Sequence, residues 1–106
     1  MTTFDDRERA FENLFAHDQE LSFRAQARRN HDIGLWAAHR LGRSGEEAAA
    51  YAAQVLMTSI EKGGTEAVVA KLGEDLHKHG LTVTEHQIRR RMDELLAEAV
   101  QRVKTE

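Results

Sequence analysis

The stretch EHQIRRRMDELLAEAVQRVK, residues 85–104, carries an apolar side chain at every third or fourth position. Its apolar residues are Ile88, Met92, Leu95, Leu96, Ala99, Val100 and Val103. This spacing follows the repeat of an α-helix, about 3.6 residues per turn, and places these residues on one face. The stretch is therefore predicted to be an amphipathic helix that buries this face against the rest of the chain.

Three earlier segments show the same period and are separated by short connections. The predicted helices run from about Thr3 to Leu41 with a break near residues 17–21, from the Ser44 region to Lys62, from Glu66 to about His79, and from Glu85 to about Lys104. Gly42, Gly63-Gly64 and Gly80 follow the first three and are predicted to end them. Four such helices joined by short loops favour an antiparallel bundle.

Residue types at the predicted helix starts suggest N-caps. Ser44 with Glu47 matches a capping box, Thr65 precedes the third helix, and Thr82 or Thr84 precedes the last. Gly34 and Gly73 lie inside predicted helices, where glycine is unfavourable, and are expected to allow close approach of a neighbouring helix. Trp36 and Tyr51 are predicted to belong to the core, Trp36 beside the space that Gly34 leaves.

Composition supports an all-α fold and excludes several classes of function. The chain has 106 residues, enough for one domain, with no Pro and no Cys, and good helix formers dominate. The absence of Cys excludes disulfides and thiolate metal sites. No secretory signal and no apolar run long enough for a membrane span is visible, so no membrane insertion is expected and a cytoplasmic location is predicted.

The charge pattern argues against nucleic-acid binding. The net charge is −3, and no segment carries the one-sided basic field that binding to phosphate backbones needs. The run Arg89-Arg90-Arg91 is the only candidate, and we expect these side chains to pair with Asp93, Glu94 and Glu98 on the same helix; an anion contact is the alternative.

No catalytic or metal-binding constellation is visible. The six His residues do not show the spacing of metal ligands with suitable companions, and Gly63-Gly64 lacks the rest of a phosphate-binding loop. No Ser-His-acid arrangement stands out either. The chain is therefore predicted not to be an enzyme, and no metal site or bound cofactor is predicted.

The opening of the chain is unusual because three of the four phenylalanines lie there, at Phe4, Phe11 and Phe15. They are seven and four residues apart, so a helix would place them in one stripe among charged residues. Such a stripe must be buried, either in its own domain or against another protein. The pattern alone leaves both open. Phe23 follows at nearly the same angle and could extend the stripe into the bundle.

Two stretches resemble a known family. They are similar to the zeta subunit of alphaproteobacterial F-type ATP synthases. The first stretch is MTTFDDRERAFENLFAHD at residues 1–18, and the second is ARRN at residues 27–30 followed by GLWAA at 34–38 and LG at 41–42. The similarity continues through residues 48–55 and 89–93. The opening stretch is specific to the family. The later helices extend the similarity over nearly the whole chain but would not identify the family alone.

The resemblance implies a four-helix bundle of residues 21–106, preceded by an inhibitory segment, residues 1–20, that is mobile or loosely docked in the free protein. It implies inhibition of ATP hydrolysis by the F-type ATP synthase, with the opening helix wedged at a catalytic α/β interface against the γ subunit. The residues carried over as partner-binding are Phe4, Asp5, Arg7, Arg9, Phe11, Glu12 and Phe15. The protein would be a monomer when free. When bound to the synthase, it would lie peripheral to the inner membrane.

Two alternatives remain at this point. The chain could be a helical adaptor that binds without inhibiting, or a regulatory bundle that binds nucleotide. Adenine nucleotide binding has been proposed for the family, and Arg28 and Arg29 are the weak candidates for holding ADP or ATP here.

Overall fold

The computed structural model describes residues 19–105. This range contains four α-helices and no strand: α1 (Gln19–Arg40), α2 (Gly45–Lys62), α3 (Thr65–Lys78) and α4 (Glu85–Thr105). The prediction of an all-α four-helix bundle is confirmed, and the predicted helix bounds that fall within this range lie within a few residues of the observed ones; the predicted start near Thr3 lies outside it. The predicted mobile or loosely docked state of the opening segment concerns residues outside this range.

Helix α1 lies between α2 and α4, and it runs antiparallel to both. Gly34 of α1 faces Ala52 of α2, while Ala25 near the start of α1 clusters with Ala99 and Val103 near the end of α4. Helix α3 packs across α2 and α4 and also reaches α1. None of the helices described here has the length and apolarity that crossing a membrane requires.

The apolar faces meet in two clusters. The larger one, called the main core, takes residues from all four helices: Ile33, Ala37, Ala38, Ala48, Tyr51, Val55, Val68, Val69, Leu72, Leu76, Ile88, Met92 and Leu95. The smaller one, called the minor core, joins only α1 and α4 within the described range: Ala25, Ala99, Val100 and Val103, with Leu21 and Leu96 partly buried beside them. The seam predicted for residues 88–103 therefore serves both clusters.

Helices α1 and α2 approach closely at Gly34. A Cβ atom there would lie 2.7 Å from the Ala52 Cα atom and 3.3 Å from the Val55 Cβ atom. The predicted close approach is thus confirmed, although the neighbour is the backbone of α2 and not the Trp36 ring. The same prediction is wrong for Gly73, because a Cβ atom at that position would meet nothing within 4 Å.

The predicted glycine stops of α1 and α3 are confirmed. Gly42 has φ +79° and Gly80 has φ +75°. After each, the next residue's N–H bonds back across the last turn, from Arg43 to the Ala38 carbonyl at 2.9 Å and from Leu81 to the Leu76 carbonyl at 3.1 Å. This is the Schellman arrangement, and the left-handed φ it needs explains why glycine follows these helices.

Only one of the predicted side-chain N-caps forms. The Gln87 N–H donates to Thr84 Oγ1 at 3.1 Å, and the Thr84 N–H donates to Gln87 Oε1 at 2.8 Å, a reciprocal capping box. The Ser44 capping box is wrong, because Ser44 makes no side-chain cap hydrogen bond. Gly45, the first residue of α2, has φ +55°, which departs from regular helical geometry. Thr65 is also not a cap; Gly64 precedes α3 and Thr65 is its first residue.

The two predicted core aromatics differ in depth. Tyr51 is 2% exposed, and its hydroxyl donates to Asp75 Oδ2 at 2.7 Å. Lys71 Nζ donates to the same carboxylate oxygen at 3.0 Å, which connects α2 to α3 through a hydrogen-bonded network. Trp36 packs against the main core but is only partly buried. The core assignment is therefore confirmed for Tyr51 and holds in part for Trp36.

Candidate functional site

The residues predicted to bind a partner lie outside the described range of 19–105. This applies to Phe4, Asp5, Arg7, Arg9, Phe11, Glu12 and Phe15. Their assignment remains a prediction. The structure does describe the bundle that carries this segment, and two of the cavities on its surface bear on what it could bind.

The first cavity, called the α1–α2 groove, is largely apolar and has a volume of about 460 Å³. Phe23 of α1 and Ile60 of α2 stand on its rim with 67% and 64% of their surface exposed. The sequence spacing allowed Phe23 to extend the aromatic stripe into the bundle, but its ring is mostly exposed and does not belong to the core. The buried positions in this part of α1 are held by Ser22 and Ala25, one residue before and two residues after it.

Arg29 lies in the wall of this groove and is only 6% exposed. Its Nε donates to Asn30 Oδ1 at 2.9 Å, and its Nη2 donates to Thr65 Oγ1 at 3.2 Å. Burial lowers the pKa of the guanidinium, and the charge of Asp93 opposes this shift without reversing it. Arg29 therefore connects α1 to the first residue of α3 through neutral hydrogen-bond partners.

This geometry bears on the nucleotide prediction. Two N–H groups of Arg29 donate hydrogen bonds inside the bundle, and the residue also lines the α1–α2 groove. Arg28 is half-buried on the same helix. Nucleotide binding at Arg28 and Arg29 stays a prediction. Within residues 19–105, no group of three or more His, Asp or Glu side chains is arranged to hold a metal ion.

The second cavity, called the α1–α4 cavity, has a volume of about 540 Å³. It lies between the end of α1, the 81–83 connection and the first half of α4. Its lining is Trp36, Arg40, Leu81, Thr82, Val83, Gln87, Arg90, Arg91 and Glu94. Sequence reasoning missed this site because its arginines come from distant segments, although Trp36 and Arg40 lie four residues apart on α1 and could have suggested a shared face.

The Arg89-Arg90-Arg91 run is divided between two roles. Arg89 makes two parallel 2.8 Å hydrogen bonds to Glu66 of α3 and a further one to Glu85 at 3.2 Å. These bonds lower the pKa of Glu66. Arg91 lies 3.6 Å from Glu94. Intrahelical pairing was predicted and is confirmed for Glu94, but Arg89 pairs mainly with another helix, and Arg90 faces the cavity.

A family model described as ATPase inhibitor subunit zeta matches residues 1–102. The match includes the whole opening segment with its three phenylalanines and all but the last four residues. No curated protein matches the chain.

Proposed function

The chain belongs to the ATPase inhibitor subunit zeta family, and we propose that it blocks ATP hydrolysis by the F-type ATP synthase mechanically. In this proposal residues 4–15 form a helix that inserts at a catalytic α/β interface beside the γ subunit. Family membership over residues 1–102 is the observation that carries the proposal. An inhibitor family suggests a protein without catalytic chemistry of its own.

The chemistry of the opening segment suits insertion. Phe4, Phe11 and Phe15 supply large apolar area with few rotatable bonds, which is typical of residues that anchor interfaces. Arg7 and Arg9 are proposed to pair with acidic residues of the partner, which fixes the register of the helix. Ordering a segment on binding costs conformational entropy, and burial of the three aromatic rings would offset it.

Among residues 19–105, the buried members of both cores lie within residues 25–103. We propose that Phe4, Phe11 and Phe15 contact the partner. We further propose that the free protein is a monomer and that it is located at the synthase, on the cytoplasmic side and peripheral to the inner membrane.

The test is ATP hydrolysis by the matched synthase with increasing amounts of full-length protein or of a variant lacking residues 1–15. The truncated protein should leave hydrolysis unchanged while its circular dichroism spectrum and cooperative unfolding still report a bundle. Full inhibition by the truncated protein would show that the wedge is wrong.

A matched pair of single substitutions refines the test. Phe11→Ala removes a ring from the segment, and Phe23→Ala removes an exposed ring from the bundle. We expect Phe11→Ala to raise the concentration for half-maximal inhibition by at least about tenfold, the range of an interface anchor. Phe23→Ala should change it far less. Equal effects would contradict the assignment of the segment as the inhibitory element.

A further inference from the structure

The α1–α4 cavity collects positive charge on a chain whose net charge is negative. Three guanidiniums line it, those of Arg40, Arg90 and Arg91, together with one carboxylate, that of Glu94. Leu81 and Val83 pack against the main core and give the cavity an apolar floor. The site therefore combines a basic rim with apolar surface, which is a composition suited to an acidic ligand that also carries an apolar group.

Two of these guanidiniums have no carboxylate partner. In the part of the chain that the structure describes, no Asp or Glu oxygen lies within 4.0 Å of Arg40 or Arg90. Arg40 instead stacks over the Trp36 ring, with its Cζ atom 4.5 Å from the ring centroid. Arg89, one residue before Arg90, is by contrast fully engaged with Glu66 and Glu85. Arg40 and Arg90 thus keep donors available for an external anion.

The geometry favours carboxylates on a peptide over a phosphate group. Phosphate sites usually draw on backbone N–H groups at a helix start. At the start of α4, however, the Gln87 N–H is already bonded to Thr84 Oγ1 and the Thr84 N–H to Gln87 Oε1. What the cavity offers is side-chain guanidiniums, which pair with carboxylates and phosphates alike, so the choice between the two rests on the engaged backbone N–H groups and on the apolar floor. The apolar floor gives a place for a side chain of the same peptide.

We infer that the α1–α4 cavity is a docking site for an acidic segment of a partner protein, with carboxylates on Arg40 and Arg90 and an apolar side chain over Leu81 and Val83. The inference rests on the proposed function in one respect, since it places that segment on a subunit of the synthase. Trp36 and Arg40 lie 17 and 21 residues beyond Gln19 in α1, which is about 25–32 Å along a helix. A partner docked here would therefore not cover the start of α1, to which the opening segment is joined.

Trp36 makes occupancy measurable, because it is the only tryptophan in the chain and lines the cavity. The experiment titrates the full-length protein with the peptide acetyl-EELEEL-amide and follows tryptophan fluorescence, with acetyl-QQLQQL-amide as the uncharged control. The acidic peptide should produce a saturable change that fades at high salt, and the control peptide should produce none. Equal responses to both peptides would overturn the inference, and so would displacement of the acidic peptide by an equal concentration of ADP or inorganic phosphate.

A matched pair of charge reversals on α4 tests the residues. Arg90 and Arg102 are both exposed, and only Arg90 lines the cavity. Arg90→Glu should raise the dissociation constant of the acidic peptide by at least about tenfold, because a charge-assisted contact becomes a repulsive one. Arg102→Glu makes the same change in net charge and should alter the constant less than about twofold, since a distant exposed charge is screened. Equal constants for the two variants would overturn the assignment.

The same variants separate this inference from the proposed function. With the synthase, Arg90→Glu should raise the concentration for half-maximal inhibition by about tenfold, while inhibition at saturation stays as complete as with the unaltered protein. If the unaltered protein does not inhibit, the proposed function fails and the peptide titration still decides the docking site. If it inhibits and Arg90→Glu acts at the same concentration, the docking site on the synthase is wrong and the wedge stands.

Discussion

The two ends of the bundle are stabilised very differently. The main core draws buried residues from all four helices, including Ile33, Leu72 and Leu76. Among residues 19–105, the minor core joins only α1 and α4, and its four buried residues are alanines and valines. Helices α1 and α4 have 22 and 21 residues, against 18 and 14 for α2 and α3. Their outer ends therefore pair with each other where the shorter helices contribute little.

The difference between the two cores bears on the proposed inhibitory segment and on the proposed docking cavity, because they lie at opposite ends of the bundle. The opening segment connects to the minor-core end through Gln19, and the α1–α4 cavity lies at the main-core end. Burial is the main source of stability, so the minor-core end should open locally at a lower free energy than the rest of the bundle. The proposed inhibitory segment is then joined to the end of the bundle that we expect to open locally at the lower free energy. The proposed docking cavity lies at the end that we expect to be more stable.

The largest effect is expected from Gly34→Ala in the main-core end. A Cβ atom at Gly34 would lie 2.7 Å from the Ala52 Cα atom, so α1 and α2 must separate. We expect a loss of about 2–3 kcal/mol in the free energy of unfolding, as for overpacked cores. Urea denaturation measures this loss.

Gly73→Ala is the matched control for that substitution. Gly73 is also inside a helix, but a Cβ atom there meets nothing within 4 Å. The variant should gain up to about 1 kcal/mol because alanine is the better helix former. A destabilised Gly73→Ala protein, or an unaffected Gly34→Ala protein, would contradict the packing described for α1 and α2.

A pair of valine truncations compares the two ends directly. Val68 in the main core and Val103 in the minor core are both buried, at 0% and 3% exposure. Val68→Ala should lower the free energy of unfolding by about 2 kcal/mol, whereas Val103→Ala should lower it by about 1 kcal/mol, since the cavity near a helix end can relax or admit water. Hydrogen exchange of the unaltered protein should also show less protection for residues 99–103 than for residues 68–76. Uniform protection would show that the two ends are equally stable.

A smaller, pH-dependent effect is expected at Asp75, which belongs to the main-core end. Burial alone would raise the pKa of this carboxyl, but hydrogen bonds from Tyr51 and Lys71 and the Lys71 charge together hold it below its usual value. A depressed pKa in the folded state means that the contribution is complete above the unfolded pKa, about 3.9, and is lost as the pH falls further.

Asp75→Asn is the measurement of that contribution. The variant should be about 1 kcal/mol less stable than the unaltered protein at pH 7, and the difference should shrink as the pH falls below about 4. Glu74→Gln removes a neighbouring carboxyl from an exposed pair with Lys78 and should have little effect at either pH. A difference for Asp75→Asn that persists unchanged at pH 3 would rule out the charged carboxylate as its source.

Local sequence patterns predicted several features that depend on neighbouring residues, although the local capping box at Ser44 does not form. The Schellman ends at Gly42 and Gly80 and the capping box at Thr84 follow from residues a few positions apart. Some features set by another helix were predicted wrongly. Thr65 looked like a cap, yet its hydroxyl accepts a bond from Arg29 of α1, and Phe23 looked like part of a buried stripe, yet it is mostly exposed.

The two candidate sites also differ in whether their residues are close together in the sequence. The opening segment could be singled out from sequence because its aromatic residues are close together in the chain. The α1–α4 cavity could not, because Arg40 and Arg90 are 50 residues apart and meet only when α1 and α4 pack antiparallel. Charge pairing has the same dependence, since the main partner of Arg89 is Glu66 on α3 and not a residue of its own helix.

ATP hydrolysis by the matched synthase, measured with the full-length protein and with the variant lacking residues 1–15, tests the inhibitory role most directly. The full-length protein should stop hydrolysis, and the truncated protein should bind through its bundle without stopping it. Binding should be followed by co-sedimentation in the same samples. Inhibition that survives removal of residues 1–15 would contradict the separation of an inhibitory opening segment from an anchoring bundle.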